Sequence, residues 1–337
     1  MRRVATAALC LLLAGCAGVQ SSMDVAGRQA GDIKGVWTLM LWVCGVMYLL
    51  VLAFLGWTLW RARRPLADAP PLADSALSPA DRPMQTALGG WMVLIVVGLL
   101  VLTFGSFLVD RRLAEAGARA DLNIRVTANQ WWWQVEYQHP DPSQGFLTAN
   151  EIHLPVGKTA KIELVATDVI HSFWVPNLGG KQDLIPGRVN DITLTPTRTG
   201  RFRGQCAEFC GLQHSNMALD VIVDSPAAYE AWRARQLASA PPPVTPGQAR
   251  GLAVVQTAAC ANCHQIQGTE AMGKTGPDLT HVAGRRSIAA GALPYSRGAL
   301  AAWIADPQGI KPGAHMPIVQ LSPADLNGVL DYLDSLK

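Results

Sequence analysis

Cys206-Ala-Glu-Phe-Cys210-Gly-Leu-Gln-His214-Ser-Asn-Met217 is the stretch on which the reading of this chain turns. It places two thiols four residues apart, an imidazole four further on and a thioether three beyond that. These are soft or borderline donors, a set that suits copper and not magnesium or calcium. A second imidazole, His171, comes from a distant strand end and completes the group. One copper ion needs a single thiolate, whereas two cysteines can bridge two copper ions that share one unpaired electron. Sharing spreads the change of charge, so bond lengths shift little on reduction, as an electron relay requires. Two other readings stay open on the residues alone: a Cys206–Cys210 disulfide in an oxidising compartment and a structural zinc on two Cys and two His. Met217 argues against zinc, because a thioether is a poor zinc ligand. His139 and His153 have no such neighbours and are read as surface residues.

Around this loop the chain reads as short strands. Residues 122–128 and 131–138 are rich in β-formers, and 161–164 and 191–194 alternate with period two. Pro155-Val-Gly157, Pro186-Gly187 and Thr199-Gly200 break them as turns. Many short strands with regular turns predict a β-sandwich or barrel over residues 111–237. Residues 218–223 read as its closing strand, which leaves the Cys206 to Met217 stretch as the loop before it. A helix is expected over 226–237. The Pro-rich segment 238–245 then reads as a semi-stiff linker.

Beyond the linker, residues 246–337 carry the second constellation, Cys260-Ala-Asn-Cys263-His264, the signature of c-type haem attachment. Cys260 and Cys263 would add to the haem vinyls, and His264 would ligate the iron. Zinc or thiol redox chemistry are the alternatives for a bare Cys-x-x-Cys; the following His and the domain length weigh against both. Met316, in Lys311-Pro-Gly-Ala-His-Met316-Pro, is read as the second axial ligand, with His315 as its competitor. A His/Met pair raises the potential relative to His/His. Met272 reads as a packing residue, and His281 gets no ligand role. Thr245 followed by Pro246, and Ser322-Pro-Ala-Asp325, read as helix starts. In the last helix Leu326, Val329, Leu330 and Leu333 share one face. The Met316 loop and Gly276-Pro-Asp-Leu-Thr-His281 resemble class I cytochromes c, which implies an all-α domain in which the Pro277 carbonyl supports His264.

The N-terminal third supplies the excess of apolar residues, half of the 337-residue chain being hydrophobic. Met1-Arg2-Arg3 and the apolar residues 4–14 read as a signal segment (1–15), too short to span a bilayer. It ends in Leu13-Ala14-Gly15-Cys16, which resembles a bacterial lipobox and implies lipidation of Cys16. An exported segment, 16–35, follows. Residues 36–60 and 87–109 are charge-free runs, each longer than the ~20 residues a spanning helix needs. Arg61, Arg63, Arg64 and Arg82 mark the loop between them as cytoplasmic, so residues 36–110 form a two-helix transmembrane hairpin. The order is out, in, out, and everything after Asp110 is outside the cytoplasm. Cys44 is read as a small apolar packing residue. A net charge of +3 offers nothing for nucleic acid.

Asp168-Val-Ile-His171-Ser-Phe-Trp-Val-Pro176, Ile185-Pro-Gly-Arg188, the Cys206 to Met217 loop and Gln130-Trp131-Trp132-Trp133 resemble cytochrome c oxidase subunit II over about residues 30 to 225. That resemblance implies a cupredoxin-like all-β domain and a binuclear CuA centre. Its ligands would be His171, Cys206, Cys210, His214, Met217 and the backbone carbonyl of Glu208. It also implies that the Glu208 carboxylate helps bind magnesium or manganese at the contact with subunit I, and that Trp131 admits electrons. The three-tryptophan run equally suits core packing. The expectation is subunit II of a bacterial haem-copper oxidase in the inner membrane, with both redox domains periplasmic. Electrons would pass from a cytochrome c or a cytochrome bc1-type complex to haem c, to CuA and to the haem of subunit I, where oxygen is reduced; subunit III would accompany it. No catalytic residue is assigned to this chain. The rivals are the electron-receiving subunit of a CuA-containing nitric oxide reductase, a membrane-tethered copper chaperone or sensor, and a soluble cytochrome with a structural β-domain.

Overall fold

The computed structural model describes residues 17–62, 82–116 and 120–337. The signal segment 1–15, the lipidation site Cys16 and the loop arginines Arg63 and Arg64 lie outside the described residues. The described residues divide into two compact units, 32–115 and the remainder.

The first unit is two helices, α1 (Arg28–Ala62) and α2 (Arg82–Ala116), of 35 residues each. The charge-free runs lie inside them, and both helices continue past their runs. A run's length reports what hydrocarbon covers, about 20 residues, whereas 35 residues rise on the order of 50 Å. Large apolar side chains point outward on both, among them Trp42 at 70% and Met92 at 67% exposure. A soluble amphipathic helix would bury such residues on one stripe; exposure all round suits a lipid surroundings. The two helices meet at small residues: a Cβ on Gly105 would lie 2.8 Å from Leu39 Cδ2.

The second unit begins with ten strands. β1 (Leu122–Asn129), β2 (Trp132–Gln138), β3 (Phe146–Ala149), β4 (Glu151–Pro155), β5 (Ala160–Ala166), β6 (His171–Trp174), β7 (Lys181–Leu184), β8 (Asn190–Leu194), β9 (Gly200–Cys206) and β10 (Ala218–Asp224) form two five-stranded sheets. Their orders are β3-β2-β1-β5-β8 and β4-β10-β9-β6-β7. β1 pairs parallel with β5, and β10 parallel with β4; the other neighbours are antiparallel. Period-two alternation sends Ile124, Val126 and Ala128 of β1, Trp133 and Val135 of β2, and Ile162 and Leu164 of β5 into one core. Fully burying side chains of this size contributes roughly 1.5–3 kcal/mol each. His153 is a correction to the surface reading. It is half-buried, its ring stacks on Trp232 with centroids 4.1 Å apart, and its Nδ1 lies 2.6 Å from an Asp224 carboxylate oxygen.

Residues ahead of α1 belong to this unit as well. The backbone N–H of Ala26 donates to Asn177 O (2.7 Å), that of Arg203 to Val19 O (2.7 Å) and that of Arg28 to Thr195 O (2.9 Å). Gln29 and Thr195 exchange two further hydrogen bonds. The segment before the membrane helix is thus a strap on the β-domain.

After β10 come α3 (Pro226–Gln236), capped by Ser225, and α4 (Pro246–Thr257), capped by Thr245. The segment between them is not a free spacer: Ala240 N donates to Gln267 O (2.9 Å), and His281 sits 3.1 Å from both Ala238 O and Lys337 O. The single turn α5 (Cys260–Cys263), a two-residue ribbon of β11 (Ser287–Ile288) and β12 (Leu293–Pro294), α6 (Arg297–Ala305), α7 (Pro307–Ile310) and α8 (Pro323–Leu333) complete the chain. α4 and α8 cross where Gly251 faces Gly328, and Val255, Leu330, Tyr332 and Leu333 close a second core.

Candidate functional site

β6 and β9 are neighbours in one sheet, which brings His171, at the start of β6, beside Cys206, at the end of β9. The loop from Cys206 to β10 then folds back over them. Cys206 Sγ lies 3.8 Å from His171 Nδ1, 3.7 Å from Cys210 Sγ and 3.3 Å from Glu208 O. Cys210 Sγ lies 3.7 Å from His214 Nδ1 and 3.9 Å from Met217 Sδ. Donor atoms of His171, Cys206 and Cys210 all fall within 4.8 Å of one another. The structure therefore brings together every donor that the sequence nominated. Both cysteines are free, and 3.7 Å is far beyond the ~2.05 Å of a disulfide. The buried, soft-donor cluster fits copper, with the two sulfurs placed as a bridging pair.

Electrostatics tune this cluster. Hydrogen bonding from the Cys210 thiol, and then from His171, holds Cys206 well below the usual thiol range against the opposing effect of burial. The neighbouring Cys206 sulfur, together with burial, pushes Cys210 up. Burial disfavours the charged form of His171, yet the Cys206 sulfur and the Asp168 carboxylate outweigh it and raise His171. Asp168 also accepts from the Gln130 N–H (2.6 Å) and the Val169 N–H (2.7 Å), so the group that orients His171 Nε2 at 2.8 Å is itself fixed. Sequence reasoning gave Asp168 no role; the Asp-x-x-His spacing was the available signal.

The three tryptophans separate by position. Trp133 is fully buried, edge-on to Phe173 and to His171 at centroid distances of 6.1 and 6.2 Å. Trp131 donates its indole N–H to Cys210 O at 2.8 Å, and Gln130 Nε2 donates to the same oxygen at 2.7 Å. The other side of Trp131 lines a cavity of about 420 Å³, and Trp132 lines it too.

That cavity has Cys260, Cys263 and His264 on its wall together with Met316, His315, Leu300 and Trp303. His264 Nδ1 is 2.7 Å from Pro277 O; a carbonyl only accepts, so Nδ1 carries the proton and Nε2 is left with a lone pair that could ligate a metal. Burial lowers His264 despite that hydrogen bond, which keeps the imidazole neutral. The His315 ring lies against Trp131 at 6.4 Å, and Gln308 Nε2 donates to Met316 O at 2.9 Å, bracing the Met loop. Met272, read from sequence as packing, is 62% exposed.

Arg285 lines the same cavity and is buried, lowered by that burial with Glu151 and Asp278 opposing. One Nη donates to Asp278 O at 2.6 Å, while its Nε finds no acceptor among the described residues. An apolar-walled cavity with two thiols, an imidazole, a thioether and a buried guanidinium N–H lacking an acceptor fits a haem, whose carboxylate would meet that N–H. Glu208 is exposed and its carboxylate accepts from Phe209 N at 3.1 Å.

The copper-type cluster and the haem-type cavity are adjacent. Gln213 Nε2, in the Cys206 to Met217 loop, donates to Pro312 O at 2.8 Å, and Ala218 N donates to Ala290 O at 2.9 Å. Ser287 Oγ donates to Asp220 at 2.8 Å.

Comparison with known proteins agrees with this division. Residues 122–225 match the family described as cytochrome c oxidase subunit II, periplasmic domain, and residues 248–337 match the cytochrome c family. The chain is 33% identical over 338 residues to the cytochrome c oxidase subunit 2 of Alkalihalophilus pseudofirmus, covering 98% of this chain and 95% of that protein. It is 31% identical over 265 residues to that of Bacillus sp. (strain PS3), covering 73% of each. Among solved structures, the periplasmic domain of subunit II of the cytochrome oxidase of Bradyrhizobium japonicum is 33% identical, with a TM-score of 0.33, covering 35% of this chain and 94% of that one.

Proposed function

This chain belongs to the cytochrome c oxidase subunit II family, and from that premise we propose that it is the electron-receiving subunit of a bacterial haem-copper terminal oxidase that reduces oxygen to water. When bound, a haem c and a binuclear copper centre supply reversible one-electron chemistry between an outside donor, a cytochrome c or a cytochrome bc1-type complex, and the haem of subunit I. Oxygen reduction and proton translocation belong to the complex, with no catalytic residue in this chain.

The residues divide the work. Cys260 and Cys263 hold the haem covalently, and His264 and Met316 ligate its iron. His171, Cys206, Cys210, His214, Met217 and the Glu208 carbonyl hold the coppers. Asp168 orients His171, and Pro277 fixes the His264 tautomer. Ligands braced this way move little when charge changes, which lowers the reorganisation a transfer needs. Trp131 is the side chain between the two sites, and electrons enter the copper side there. The Glu208 carboxylate, exposed on the copper loop, takes magnesium or manganese with ligands from subunit I; subunit III completes the assembly.

The strap argues for the topology. Residues 18–28 are hydrogen-bonded to the β-domain, so both ends of the α1–α2 segment lie on one side of the membrane. An exported N-terminus then puts the copper and haem domains in the periplasm of a two-span inner-membrane protein.

The observation that carries this reading is the convergence of five soft or borderline donors beside a cavity walled by Cys260, Cys263, His264 and Met316. The test is to purify the complex, count copper and covalent haem per chain, and follow reduction by stopped flow. The expectation is two coppers, one haem c, a near-infrared mixed-valence band, haem c reduced first and oxygen consumed. Zinc in the loop, or no such band, removes the reading.

A further inference from the structure

Lys311 is 3% exposed and follows the short helix α7 on the way to the Met316 loop. Its Nζ donates to three backbone carbonyls: Trp131 O at 2.7 Å, Asn216 O at 2.8 Å and Ala289 O at 3.0 Å. Each acceptor belongs to a different part of the electron-transfer apparatus. Trp131 is the residue between the two sites, Asn216 directly precedes the proposed copper ligand Met217, and Ala289 is on the cavity wall. A neutral amine has only two N–H groups, so three carbonyl acceptors identify the ammonium form. Burial pushes this lysine down to about 7, with Cys210 opposing, and the three carbonyls are the hydrogen-bond acceptors its ammonium meets in this dry place. A surface lysine would do none of this; a buried one that satisfies three segments of two domains fixes their mutual placement.

We propose that Lys311 is the positioning residue that locks the haem cavity onto the copper loop, one buried ammonium clamping Trp131, the segment before Met217 and the cavity wall. The inference rests on the electron-transfer reading above. It makes the haem domain a docked domain with a defined approach, in place of a domain that finds its acceptor by diffusing on a linker. Gln213, which donates to the carbonyl of the very next residue, Pro312, grips the same loop from the copper side. Other contacts across this boundary include the neutral donors of Ala218 to Ala290 and Ser287 to Asp220, and one Arg285 Nη that reaches Thr148 Oγ1 at 3.4 Å.

The test uses the full-length chain in its purified oxidase complex. Lys311→Met keeps an unbranched side chain one atom shorter and removes all three donors; Lys311→Gln keeps two donors on a shorter arm. Both are compared with the parent for copper and haem content, optical spectra and midpoint potentials. The rate of electron transfer from haem c to copper is then read after photoinjection from a ruthenium polypyridyl complex, together with the relaxation enhancement of the copper EPR signal by oxidised haem. Tunnelling decays exponentially with separation, so loosening the clamp by ~2 Å slows the transfer by roughly tenfold. The expected result is normal content, spectra and potentials in Lys311→Met, a rate about tenfold lower and spread over several phases, weakened relaxation enhancement, and partial recovery in Lys311→Gln. An unchanged rate and unchanged enhancement in a fully loaded Lys311→Met overturns the proposal. Loss of copper or haem in both variants overturns it too, since Lys311 would then hold one site and not the placement of two. A parent complex without both centres would instead overturn the underlying reading.

Discussion

Replacing Gly251 by alanine adds one methyl group where α4 crosses α8 and should destabilise the haem domain by roughly 2 kcal/mol. The new Cβ would lie 2.5 Å from the carbonyl carbon of Gly328, closer still to its oxygen, and 2.8 Å from Tyr332 Cβ. Backbone on the partner helix cannot rotate aside, so the helices must part. Overpacking costs about 1–3 kcal/mol, and a collision with backbone belongs near the top of that range, roughly 3 kcal/mol. The intrinsic helix gain of Gly to Ala returns about 1 kcal/mol. A net loss of ~2 kcal/mol lowers the melting temperature of a domain this size by roughly 8–16 °C. Gly298 in α6 is the control, because a Cβ there meets nothing within 4 Å and Gly298→Ala should be neutral or stabilising by up to about 1 kcal/mol. Guanidinium unfolding of the full chain, followed at the haem absorbance, measures both. If Gly251→Ala is as stable as the parent, the close crossing of α4 and α8 is not what holds this domain together.

Three further outcomes concern the sites. Gly276→Ala puts a Cβ 2.8 Å from His264 Cε1 and 3.0 Å from its Nδ1; the haem should stay attached while its optical spectrum shows weakened axial ligation, and an unaltered spectrum would contradict the geometry. Asp168→Asn removes the carboxylate that orients His171 and should cost roughly 10–100-fold in copper affinity, read as faster copper loss to a chelator; equal retention would deny Asp168 that role. Cys263→Ala should abolish covalent haem attachment and leave the near-infrared copper band, and loss of both in a folded, membrane-inserted chain would defeat the two-centre scheme.

Much of the architecture was legible in the residues because the forces that set it are local. Thr245 and Ser322 cap helices that start at Pro246 and Pro323, as capping chemistry and the fixed φ of proline dictate. Alternating Ile124, Val126 and Ala128 announce a strand with one buried face. Local patterns also mislead in definable ways. His153 lacks any metal-type neighbour in sequence, so it read as a surface residue; Asp224 on β10 and Trp232 on α3 bury it, and neither is near it in the chain. The Pro-rich segment 238–245 read as a spacer, and only the fold brings Gln267 and His281 alongside to hold it.

By itself the sequence determined the donor types and the spacings that restrict which metals and which haem they can hold, together with the apolar lengths that call for a membrane. Those are properties of short segments, and chemistry reads them without a fold. Only the tertiary structure decided that His171 meets Cys206, that Trp131 spans from the copper loop to the haem cavity, that Arg285 waits inside that cavity, and that Lys311 ties three segments with one ammonium. A polar group takes its role from the partners left to it when water is excluded, and those partners are chosen by sheet order and domain contact between residues far apart in the chain.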